Sequence, residues 1–71
     1  MGHHARVQRR SELAELSSLT STLEELTRRV TAMAETARDQ GDEDLAIELF
    51  GAERSLHGSL RRLRRVSGLS P

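Results

Sequence analysis

Apolar residues recur at steps of three and four along nearly the whole chain, and the recurrence breaks once, at "RDQGDED" (38–44). Before the break the series is Leu13, Leu16, Leu19, Leu23, Leu26, Val30, Met33, Ala37; after it, Leu45, Leu49, Ala52, Leu56, Leu60, Leu63, Val66. Such spacing keeps one face of an α-helix apolar and lies close to the 3.5-residue period of a coiled-coil seam. A strand would need a period of two, so the fold class that follows is all-α.

The break has the chemistry of a tight helix-to-helix turn. Gly41 suits the left-handed position that closes a helix, because glycine has no Cβ to clash at positive φ. Asp42 suits the N-cap of the next helix, with Glu43 and Asp44 in the first turn, where the helix dipole favours anions. A connection this short makes the two helices antiparallel. The chain therefore reads as a flexible basic N-terminal arm over 1–10, a coiled-coil-like hairpin over 11–67 (helix 11–39, turn 40–42, helix 43–67) and a C-terminal tail over 68–71.

In an antiparallel hairpin, facing residues have position numbers with a nearly constant sum. The two series pair in this way without a slip: Met33 with Leu49, Val30 with Ala52, Leu26 with Leu56, Leu19 with Leu63 and Leu16 with Val66. The weakest stretch is "SSLTST" (17–22), whose hydroxyls compete for backbone hydrogen bonds. A continuous first helix is expected there, because Leu13, Leu16 and Leu19 hold the phase of the later stripe. A start inside the stretch is the alternative, with Ser21–Glu24 and Thr22–Glu25 at capping-box spacing.

Length and composition argue that such a hairpin needs help. In a chain of 71 residues the apolar share is 35%, Phe50 is the only Phe, Tyr or Trp, and there is no cysteine to supply a disulfide or thiolate metal site. Association is the remaining staple. Ile47 and Phe50 lie off the seam, so homodimerisation into a four-helix bundle is expected. Its interface comprises Leu19, Leu23, Leu26, Val30 and Met33 of the first helix with Ile47, Leu49, Phe50, Leu56, Leu60 and Leu63 of the second. No apolar run reaches membrane-span length, and "MGHHARVQRR" lacks the apolar middle of a signal peptide, which gives a cytoplasmic expectation and no membrane partner.

Net charge is +0, but it is unevenly placed, and every cation is Arg. The hairpin gathers Arg61, Arg62, Arg64 and Arg65 beside Arg6, Arg9 and Arg10, making these the candidate contacts for an anion or an acidic partner. The opposite end carries Asp39, Asp42, Glu43, Asp44 and Glu48. Phosphate binding is one use of the basic end; a solvated face matched to the helix dipole and paired with Glu12 and Glu15 is the plainer one. Glu24 with Arg28 and Glu25 with Arg29 have the i, i+4 order of surface ion pairs.

No catalytic, cofactor-binding or metal-binding set stands out. His57 lacks converging partners. His3 in an amino-terminal position has the spacing of a square-planar Cu(II) or Ni(II) site, a pattern that also arises by accident. Gly51 and Gly58, seven apart on one helix face, suggest close approach by another backbone, with surface glycines tolerated at some cost in helix stability as the alternative.

The segment "AETARDQGDEDLAIELF" resembles the turn of a tetratricopeptide repeat, with Gly41 at the turn, Ala46 five residues on and Phe50 four beyond. The pattern departs at Glu53 and Gly58, where that repeat has a small residue and a proline, and no second copy follows. What the likeness implies is shared helix-hairpin grammar. The expected function is a non-enzymatic protein–protein interaction module, a small adaptor or regulatory protein of bacterial type. The alternative is a small nucleic-acid-binding protein using the Arg-rich end.

Overall fold

The computed structural model describes residues 2–68, with side chains from Arg10 to Gly68. Two helices, α1 (Gly2–Asp39) and α2 (Glu43–Ser67), pack along each other as a hairpin. Its extents are 59 × 15 × 12 Å.

The turn forms from local hydrogen bonds. Gly41 has φ +79, the Gly41 N–H donates to the Arg38 carbonyl and the Asp42 N–H to the Ala37 carbonyl, at 3.0 and 2.9 Å. These two bonds make a Schellman motif, which satisfies carbonyls that the end of α1 would otherwise leave free. Asp42 Oδ1 then accepts from the Leu45 N–H at 3.4 Å, capping α2.

The helix α1 is continuous through "SSLTST". Thr20 Oγ1 donates to the Leu16 carbonyl at 2.8 Å and Thr27 Oγ1 to the Leu23 carbonyl at 2.7 Å. Each hydroxyl is thus satisfied inside its own helix and can turn its methyl to the seam. The helix also runs back to Gly2, through the backbone expected as an arm. Residues 3–10 contain neither Gly nor Pro to stop it, and Ala, Arg and Gln favour helix. Met1 and residues 69–71 of the expected arm and tail lie outside the described residues. With α1 38 residues long and α2 25, the start of α1 projects beyond the end of α2.

The seam differs from the expected one by one residue on each helix. Its buried members are Thr20, Thr27, Ala34 and Ala37 of α1 with Ala46 and Leu60 of α2, and its half-buried members include Leu13, Leu16, Leu23, Val30, Leu49, Glu53, Leu56 and Leu63. Spacing makes these the a and d positions of one heptad frame: 13, 20, 27, 34 with 16, 23, 30, 37 on α1, and 46, 53, 60 with 49, 56, 63 on α2. Leu19, Leu26 and Met33, expected to face α2, are the preceding g positions and are 55%, 45% and 59% exposed. Leu45, Ala52 and Val66 occupy the g positions of α2 and are likewise exposed. The expected pairings of Met33 with Leu49, Leu26 with Leu56 and Leu19 with Leu63 therefore give way to a seam through their smaller neighbours.

The turn explains the choice. Helices joined by a three-residue connection, Gln40–Asp42, start close together, and separation depends on the side chains between them. Ala34, Ala37 and Ala46 admit that approach; Met33 and Leu45 do not.

Candidate functional site

The rotation leaves the hairpin with two unlike flanks. In an antiparallel pair the e positions of the two helices share one flank and the g positions the other.

The e flank is polar and internally bonded. Arg64 Nη2 lies 3.5 Å from Glu24 Oε2, and the Arg38 guanidinium sits 5.6 Å from the centre of the Phe50 ring. Thr31 Oγ1 reaches Glu53 Oε2 at 2.5 Å and the Thr27 carbonyl at 3.1 Å. A hydroxyl has one proton to donate, and the short contact assigns it to the carboxylate, which brings a half-buried charge at an a position a partner across the seam. An open groove of about 480 Å³ runs along this flank, lined among others by Glu24, Arg28, Glu53, His57 and Arg64. Among the described residues no group of three His, Cys, Asp or Glu could hold a metal ion.

The g flank is apolar. Leu19, Leu26 and Met33 of α1 run beside Leu45, Ala52 and Val66 of α2, all exposed. Near the turn, Met33 and Leu45 line a shallow depression with Thr36 and Gln40. The strip crosses most of the hairpin's length.

The expected interface residues fall into three groups. Leu23, Val30, Leu49, Leu56, Leu60 and Leu63 form the intramolecular seam. Leu19, Leu26 and Met33 lie on the g flank. Ile47, 64% exposed, and Phe50, half-buried beside Arg38, are on the other side of α2 and do not join them. Leu45, Ala52 and Val66, which spacing alone assigns to the seam, complete the apolar surface. The signal that places them outside is that each precedes an a position, in step with Leu19, Leu26 and Met33.

At the open end, Arg10, Arg61, Arg62, Arg64 and Arg65 are exposed, and Arg64 reaches Glu24, which takes the place of the expected Glu12 or Glu15 partner. The side chains of Arg6, Arg9 and His3 lie outside the described residues. Arg28 pairs with Glu25, three residues back, while Glu24, expected to pair with Arg28, turns to α2. A Cβ added at Gly51 or Gly58 would meet only an Arg side chain, of Arg54 or Arg61, at 3.7 Å, so neither glycine admits a close backbone within the hairpin. Among the described residues no helix is long and apolar enough to cross a membrane.

Compared with known proteins, the chain matches no family model, no curated protein and no solved structure.

Proposed function

We propose that this chain is a non-enzymatic protein–protein interaction module: a helical-hairpin adaptor or regulatory protein that binds through the Leu19/Leu26/Met33 flank and uses its charged ends to select what it binds. The observation that carries this reading is the apolar strip, which among the described residues holds every exposed large apolar side chain except Ile47. Water contact along that strip is unfavourable at about 25 cal/mol per Å², and another amphipathic helix or helical pair is the complement that fits it. Association of two hairpins into a four-helix bundle is the assembly the surface favours. A cytoplasmic setting suits a chain of this composition.

The test is photo-crosslinking in the native host, with a photoreactive residue replacing Leu26 and, as control, Arg54 on another side of α2. Protein adducts from position 26 and not from 54, whether with itself or another protein, support the module. Equal labelling from both, or none from 26, refutes it.

A second reading rests on the exposed Arg61, Arg62 and Arg65 at the open end. Those side chains could engage a phosphate backbone without base readout. Fluorescence anisotropy with a labelled duplex decides: binding that falls steeply between about 50 and 200 mM salt supports this reading, and no binding at low salt ends it.

A further inference from the structure

We infer that the occupant of the apolar flank is a second copy of this chain turned end for end, so that the acidic turn of each hairpin lies against the basic open end of the other. This rests on the reading of the flank as an interface and names its partner and orientation.

Three observations point the same way. The first is surface. The hairpin exposes 5754 Å², where a compact monomer of 7.9 kDa would expose about 4,400 Å². The difference of roughly 1,300 Å² exceeds the roughly 800 Å² per partner that a standard interface buries. That excess is spread over an elongated chain 59 Å long, the projecting start of α1 included, and is large enough to supply one dimer contact.

The second is self-complementarity. A two-fold interface brings the same patch from both copies together, so the patch must fit itself. From Leu19 to Met33 and from Leu45 to Ser59 the g positions carry no charge, and a two-fold axis near Leu26 sets the Leu19 level of one copy against the Met33 and Leu45 level of the other. Large side chains at each end of the strip meet large side chains.

The third is charge. Asp39, Asp42, Glu43 and Asp44 crowd the turn, while Arg61, Arg62 and Arg65 crowd the open end, all exposed. Side-by-side pairing in the same direction would stack like on like at both ends, and end-for-end pairing opposes the signs. On the rim of the flank, Glu48 of one copy comes within about one helical turn of Arg62 of the other.

The chain has no cysteine, so single cysteines report orientation cleanly. Glu48→Cys and Arg62→Cys proteins, distinguished by a tag, are each treated with a short bis-maleimide alone and then as a mixture, and sedimentation equilibrium gives the mass of the unmodified chain. End-for-end pairing predicts a dimer mass, cross-linked product in the mixture and little in either variant alone. It also predicts that Glu48→Arg weakens association by about tenfold, and that adding Arg62→Glu restores it. Efficient cross-linking of either variant with itself overturns the orientation. A monomer at every concentration overturns the second copy; if Leu26 still cross-links to a different protein in the host, the interaction-module reading survives that result.

Discussion

Leu60 and Leu26 are the same residue type on neighbouring helices, and the structure assigns them opposite fates when each is cut back to alanine. Leu60 is 1% exposed. Its loss removes buried methylenes and leaves a cavity, for which the observed range is about 2–5 kcal/mol. Half-buried Leu23, at the same level of the seam, can relax into part of that space, which places Leu60→Ala at about 3 kcal/mol. Leu26 is 45% exposed, and its truncation opens no cavity, so Leu26→Ala costs the hairpin about 1 kcal/mol from the contact it does make. Helix propensity favours alanine slightly and equally at both sites. For a domain of this length each kcal/mol moves Tm by about 4–8 °C. Leu60→Ala should therefore melt about 12–24 °C below the parent and Leu26→Ala about 4–8 °C below it. Circular dichroism at 222 nm is the assay, across a dilution series: the Leu60 deficit should persist at every concentration, while the Leu26 deficit should grow as association sets in. Equal deficits at high dilution would refute the seam through Thr20, Thr27 and Ala34 and restore the one through Leu19, Leu26 and Met33.

Three further outcomes follow from particular side chains. Glu53→Leu replaces a half-buried carboxylate at an a position by an apolar side chain of similar reach; denaturant unfolding should show a gain of about 1 kcal/mol, and sedimentation should show additional oligomers, because a polar a residue restricts pairing. A loss of stability would mean that the Thr31–Glu53 hydrogen bond outweighs the burial. Gly58→Ala, with only the Arg61 side chain at 3.7 Å, should stabilise α2 by up to about 1 kcal/mol in thermal melts, and destabilisation would reveal a close neighbour that the hairpin alone lacks. Gly41→Ala meets no atom within 4 Å, so its cost is that of a left-handed backbone with a Cβ, about 1–2 kcal/mol; an unchanged midpoint would count against the Schellman turn.

How much of this could be read beforehand differs between the turn and the flanks. Gly41, Asp42 and the acidic first turn of α2 act over four or five residues of backbone, and such local chemistry is written in the order of the residues. Helix count, direction and the continuity of α1 follow from the same short-range signals. The rotation of the helices about their own axes does not. Leu16, Leu23, Val30 and Ala37 serve equally well in a seam with Leu19, Leu26 and Met33 or in one with Thr20, Thr27 and Ala34, since both alternate by three and four. Hydropathy favours the first. The closeness of two helices leaving a three-residue turn, together with threonines that satisfy their own hydroxyls, favours the second, and neither effect appears in a ranking of apolar side chains. Phe50 illustrates the same limit: its size suggested an interface with Ile47, whereas the ring lies beside Arg38 on the polar flank. At the amino end, the charge of the arginines points to an arm, whereas the helix propensity of Ala, Arg and Gln carries α1 back to Gly2.

The central claim is that the g flank is open in the single hairpin and covered when the protein associates. The chain has two methionines, Met1 and Met33, so a spectrum of methionine methyl groups labelled with carbon-13 holds one reporter on the flank. Recorded with a soluble gadolinium chelate across a dilution series, the Met33 signal should be strongly broadened in dilute solution and become protected as concentration rises, in step with the change in mass. Broadening of Met33 that stays the same from the lowest concentration to the highest would contradict the account.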